Sequence, residues 1–303
     1  MQTNSRLGII FGLVAVAFWS FGASLVFLGA REAGPWPFVA VGSLIGGVLQ
    51  LTCWRVYRGE WRSALRLPWR LWAVPLVCFV TYGLVWPWAL ATSNARQVLG
   101  VSLINYLWPI LTVVFSVWWV PGVRLTSRTV LALGLAVAGL AFANLKTIRE
   151  LLAAGAVQED SILRRMLPYF LALVAAVTWG VYSAFLSRWR QWAKGYVTSP
   201  IGFLLIGLIA CLVVGLTGTW PAKTSATAVW LTALYGIGPL AAGYLLWEIA
   251  LPRARVQSLS LIAAATPVLS TALLCLFLKT LPGWELVVAA LLVSGGVVVS
   301  MRE

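Results

Sequence analysis

Ten runs of about 20 apolar residues follow one another along this chain, each long enough to cross the hydrocarbon core of a bilayer. They fall at 7–29, 36–57, 69–91, 98–120, 127–145, 168–188, 199–217, 229–251, 257–278 and 283–301. A chain of 303 residues that is 61% hydrophobic and only 10% charged cannot hide that much apolar surface in a soluble fold. The bilayer must be its solvent, and the expected fold is an all-α membrane protein of ten transmembrane helices. No long polar segment interrupts the pattern, so no soluble domain is expected. The first run follows Arg6 and resembles a signal peptide, but its apolar length is too great, and it is read as a retained span.

The chain also repeats itself. LVAVAFWSFGAS at Leu13–Ser24 is answered by LVAAVTWGVYSA at Leu173–Ala184, which places Trp19 against Trp179, 160 residues on. VSLINYLWPILT at Val101–Thr112 is answered by LSLIAAATPVLS at Leu259–Ser270, which places Pro109 against Pro267, 158 residues on. Five spans fit in one repeat, and an odd number turns the second copy upside down in the membrane. The expectation is two inverted five-helix repeats around a central cavity, at 1–144 and 168–303. A polar linker at 145–167 joins them, carrying Glu150, Glu159 and Asp160. Leu151, Leu152, Ile162 and Leu163 would let part of that linker lie along the membrane surface.

The net charge of +14 follows the topology. With the N-terminus inside, 14 of the 22 Lys and Arg residues fall in inner loops, densest at Arg55, Arg58, Arg62, Arg66 and Arg70. That bias predicts both termini in the cytoplasm and makes anionic lipid, not nucleic acid, the basic loops' neighbour. The chain has no histidine and a single aspartate, Asp160, in a loop. His-based nucleophilic sites and intramembrane aspartyl dyads are therefore excluded, and no enzyme, metal site or cofactor is expected. Cys53, Cys78, Cys211 and Cys275 all sit inside apolar runs and read as small hydrophobes.

Polar and helix-breaking residues concentrate near the centres of spans one, three, four, six, eight and nine. They include Trp19, Ser20 and Ser24; Tyr82, Gly83 and Trp86; Ser102, Asn105, Tyr106 and Trp108; Thr178, Trp179 and Tyr182; Tyr235 and Tyr244; and Ser258, Ser260 and Thr266. Spans two, five, seven and ten are bland by comparison. Six helices should line the cavity and four should support them. A mid-membrane Trp must place its N–H on a partner or in a wet cavity, although ordinary helix packing is the alternative for any one of them. Trp54, Trp61, Trp69 and others near span ends read as interfacial anchors.

Pro109, Pro239 and Pro267 interrupt spans four, eight and nine and read as flex points, with a simple packing kink as the alternative. Asn105 offers donors and an acceptor to a small polar head, and the rings suit a flat apolar body. The candidate substrate-binding set is Trp19, Ser24, Tyr82, Trp86, Ser102, Asn105, Tyr106, Trp108, Thr178, Trp179, Tyr182 and Tyr244. Glu248, near the inner end of span eight, is the carboxylate set furthest inside a span. It reads either as a coupling-proton site or as an interfacial residue paired with Arg253 or Arg255.

These features resemble the drug/metabolite transporter superfamily, in its ten-span branch of two EamA-type repeats. The likeness rests on Trp19–Ser20 and Trp179–Gly180, on Ala89–Ser93 at the end of span three, and on Pro109 and Pro267. It covers 7–301 and departs at the Pro252–Arg255 turn after span eight. Within that branch the ring-rich neutral core most resembles the aromatic amino acid exporters of the YddG type. The resemblance implies a monomeric exporter of aromatic amino acids and related zwitterions that works by alternating access, with small-molecule substrate and lipid as its partners. A broad exporter of neutral drugs or other amino acids, and a non-transporting scaffold, remain the alternatives.

Overall fold

A computed structural model of the chain describes residues 5–95, 97–121, 124–144, 159–189, 197–250, 262–263 and 265–300. Most of the 145–167 linker, Arg253, Arg255, Ser258 and Ser260 lie outside that set.

Among the described residues the structure is helical, with no strand. The helices are α1 (Ser5–Ser20), α2 (Gly22–Ala33), α3 (Pro35–Arg58), α4 (Val77–Ala91), α5 (Gln97–Asn105), α6 (Trp108–Trp119) and α7 (Ser127–Ala143). They continue with α8 (Glu159–Trp189), α9 (Ser199–Thr217), α10 (Ala226–Tyr235), α11 (Tyr244–Ala250), α12 (Thr266–Phe277) and α13 (Trp284–Ser300). Among the described residues, seven helical stretches are long and apolar enough to cross a membrane: Arg6–Ala33, Pro35–Tyr57, Trp69–Ala91, Gln97–Trp119, Ile162–Phe185, Ser199–Thr217 and Ala226–Trp247. Three shorter apolar helices, Ser127–Ala143, Thr266–Phe277 and Trp284–Val299, occupy the positions read as spans five, nine and ten.

Helix ends are set by local chemistry. Thr126 and Ser225 accept from the N–H three residues on and cap α7 and α10. Gly59, at φ 75°, closes α3 in the left-handed conformation that favours glycine. Within the helices, hydroxyls that have no water to reach bond back to the preceding turn, as Ser20 does to Val16 and Ser116 to Thr112.

Helix packing follows a swap of the two halves. α3 packs along α9, and α7 along α13. α8 packs on α4 and α6, while α1 packs on α11 and α12. Under the pairing of span one with six, three with eight and four with nine, each of these contacts has its counterpart.

The breaks correspond too. Leu107 N–H bonds Ile104 C=O at 3.0 Å, and Ala265 N–H bonds Ile262 C=O at 3.1 Å, both positions 158 apart. Pro109 and Pro267 then stand as the second residue of α6 and α12. They do not kink a running helix. Each begins a new one, where its missing N–H leaves no helical bond unmade.

Spans three and eight each hold a wide π-helical turn around a proline, Trp72–Leu76 with Pro75 and Gly236–Gly243 with Pro239. The first lies near the start of its span and the second near the middle, so the two spans are not equivalent in detail. α8 begins at Glu159, so the last part of the expected linker is already helix. Trp54, expected as an interfacial anchor, is buried at 6% exposure in a cluster with Val197 and Leu245.

Candidate functional site

The discontinuities at Phe21, at Tyr106–Leu107 and in the π-turn of span eight surround one cavity of about 90 Å³. Its wall takes Trp19, Gly22 and Ala23 from span one, Phe79, Tyr82, Gly83, Trp86 and Pro87 from α4, and Asn105, Tyr106 and Trp108 from span four. Trp179 comes from α8, Tyr235, Pro239, Leu240 and Tyr244 from span eight, and Thr266 from α12. No Asp, Glu, Lys or Arg is among these residues.

Three wall residues come from helices expected to be mere supports: Ser43 of α3 and Phe203 and Ile206 of α9. Polarity could not have found the two apolar ones. Their signal is glycine: a Cβ on Gly83 would lie 2.2 Å from Ile206, and one on Gly202 would lie 2.4 Å from the Phe79 ring. α9 therefore approaches α4 closely enough to put Phe203 into the wall.

Rings form most of the surface. Trp179 lies 4.7 Å from Tyr82, 4.8 Å from Tyr182, 5.7 Å from Phe79, 5.7 Å from Tyr244 and 6.3 Å from Trp108, centroid to centroid. Trp19 packs on Tyr244 at 5.2 Å and on Trp247 at 5.1 Å. Phe79, 1% exposed, touches Trp179, Tyr182, Phe203 and Tyr244.

Polar groups are few. Asn105 Nδ2 donates to the Tyr82 hydroxyl at 3.3 Å, while its buried Oδ1 has no protein partner. The buried Trp19 Nε1–H also has none. The ring-rich wall thus includes an unpartnered acceptor and an unpartnered donor, which suits a ligand with a flat body and a head that both donates and accepts.

Of the expected site residues, Trp19, Tyr82, Trp86, Asn105, Tyr106, Trp108, Trp179 and Tyr244 line the cavity, together with Pro239. Ser24 and Ser102 do not; both are buried within the helix packing without a partner. Thr178 turns back to the carbonyls of Val174 and Ala175 at 2.9 and 3.0 Å. Tyr182 stacks on Trp179, but its hydroxyl meets Thr198 Oγ1 at 2.6 Å, outside the wall. Glu248 lies on α11, one turn beyond Tyr244, and its side chain is outside the described set.

The EamA-like transporter family model matches residues 6–145 and 166–302. The chain belongs to the EamA-like transporter family. It is a multi-pass membrane protein of that family, within the drug/metabolite transporter superfamily. Among this EamA-like chain's relatives is the aromatic amino acid exporter YddG of Ancylobacter novellus, 29% identical over 96% of both chains. A second is the aromatic amino acid exporter YddG of Escherichia coli K12, 24% identical over 97% of this chain and 96% of that one. A solved protein crystal structure shares the fold with a TM-score of 0.67, at 25% identity and 98% coverage of each chain.

Proposed function

We propose that the chain exports aromatic amino acids and related neutral zwitterions across the bacterial inner membrane by alternating access. The observation that carries this reading is the pairing of an unpartnered acceptor, Asn105 Oδ1, with an unpartnered donor, Trp19 Nε1–H, on a ring-walled cavity with no Asp, Glu, Lys or Arg among its described lining residues. The ammonium goes to Asn105, the carboxylate to Trp19, and the side chain stacks among Trp179, Tyr82 and Tyr244. The two relatives named as aromatic amino acid exporters support the same cargo.

The chain crosses the membrane ten times, as repeats 1–144 and 168–303 of opposite orientation, with both termini cytoplasmic. The half-swapping contacts and the paired breaks 158 residues apart support that arrangement. It works as a monomer. Substrate reaches a cavity of about 90 Å³ only when the walls part, since small-molecule pockets start at roughly 300 Å³. Pro109, Pro239 and Pro267 mark where they flex.

The test is tryptophan flux in proteoliposomes, driven by a tryptophan gradient alone at equal pH. Flux that phenylalanine competes with is expected and leaves Glu248 a structural residue. Flux only after a pH gradient is added makes Glu248 the coupling site. Absence of flux under both conditions overturns the cargo.

A further inference from the structure

Gln50 sits at the centre of a buried polar bridge between the two halves. It is fully buried in α3. Its Nε2 donates to Leu240 C=O at 2.6 Å, and its Oε1 accepts from Ser199 Oγ at 2.7 Å. α3 comes close enough because of Gly46, where a Cβ would stand 2.7 Å from the Leu240 Cβ.

Leu240 belongs to the π-helical turn Gly236–Gly243. In an α-helix its carbonyl would receive the Tyr244 N–H. Here that N–H bonds Ala241 C=O instead, and the Gln50 amide takes the Leu240 carbonyl. A π-turn holds one residue more than the α-turn it replaces. Its collapse rotates everything that follows by about 100° about the helix axis. The first residue to follow is Tyr244, which packs on Trp19, Phe79, Trp179 and Phe203 in the cavity wall. The same end of the bundle is sealed by Tyr182 on Thr198, by Trp54 on Val197, and by Leu71 and Leu76 on Ile201.

We infer that Gln50 is a positioning residue that holds the span-eight π-turn open and so locks the seal at this end. The inference rests on the alternating-access reading and deepens it. Release of the two Gln50 bonds lets the π-turn relax, turns Tyr244 out of the wall, and opens the end carrying Val197. Gln50 acts on substrate only through Leu240 and Tyr244.

The experiment uses the full chain with its cysteines replaced and one reporter, Val197→Cys, at a site only 4% exposed. Modification by a membrane-impermeant maleimide is timed in proteoliposomes without substrate. Gln50→Leu should speed labelling about tenfold, the population shift expected from losing a buried hydrogen bond. Ser199→Ala, which leaves the Leu240 bond in place, should speed it by a smaller factor of at least twofold. An unchanged labelling rate in folded Gln50→Leu overturns the inference, even if its melting temperature falls. Should Gln50→Leu fail to fold, Ser199→Ala decides alone: faster labelling supports the lock and an unchanged rate removes it. Labelling needs no cargo, so an error in the assigned substrate leaves this result standing.

Discussion

The amide of Asn105 is oriented by Tyr82. Because Nδ2 is engaged by the Tyr82 hydroxyl at 3.3 Å, Oδ1 is the end left for a ligand. On the proposed reading, that orientation leaves Asn105 to serve a donor, and in an amino acid the ammonium.

Asn105→Ala should therefore weaken tryptophan binding with little change in maximal rate. A hydrogen bond to a charged group is worth about 1.5–3 kcal/mol, so KM should rise by roughly tenfold or more. Asn105→Asp keeps an acceptor and should lose less. The check is KM and maximal flux in proteoliposomes for the two variants; equal KM for Asn105→Ala and the parent would remove Asn105 from the site.

Tyr182→Phe should behave in the opposite way. It strands Thr198 by deleting their 2.6 Å contact but leaves the ring on Trp179. A buried polar group without its partner costs about 1–3 kcal/mol. Thermal unfolding in detergent should start earlier while tryptophan KM stays at the parent value.

Gly202→Ala tests the missed side of the wall. The added methyl meets the Phe79 ring at 2.4 Å, and a ring wedged among four others has little room to retreat. Overpacking of this kind costs about 1–3 kcal/mol. Melting temperature and tryptophan affinity should fall together where Phe79 yields toward the cavity it lines; a fall in stability alone would mean that it finds another way out.

Pro109→Ala and Pro267→Ala restore an N–H at the start of α6 and α12. The break can then heal into continuous helix. The folded protein should be as stable as the parent or slightly more so, and transport should slow, most in the double variant. Parallel melting curves and initial rates separate this from plain unfolding.

Sequence disclosed the cavity as far as polarity carried it. Asn105, Tyr82, Tyr244 and the mid-span tryptophans stood out because a polar atom at membrane depth needs a reason. Phe79, Phe203 and Ile206 carry no such atom and read like any lipid-facing residue; only three-dimensional approach distinguishes them. Tyr182 and Thr178 stand outside the wall for the reverse reason, since each places its hydroxyl on a protein partner. Gln50 was overlooked in a span that reads as bland. Its importance comes from the released carbonyl of Leu240, and helical periodicity does not reveal a π-turn.

The chargeless wall has an electrical consequence. A charged group carried across the membrane gains or loses about 2.3 kcal/mol for every 100 mV. On the proposed cargo, a cavity with no ionised residue among its described lining, reorienting around a zwitterion, would carry no net charge in either direction. Unless a proton is coupled through Glu248, that step would be electrically silent, and the cell's voltage would neither drive nor resist it.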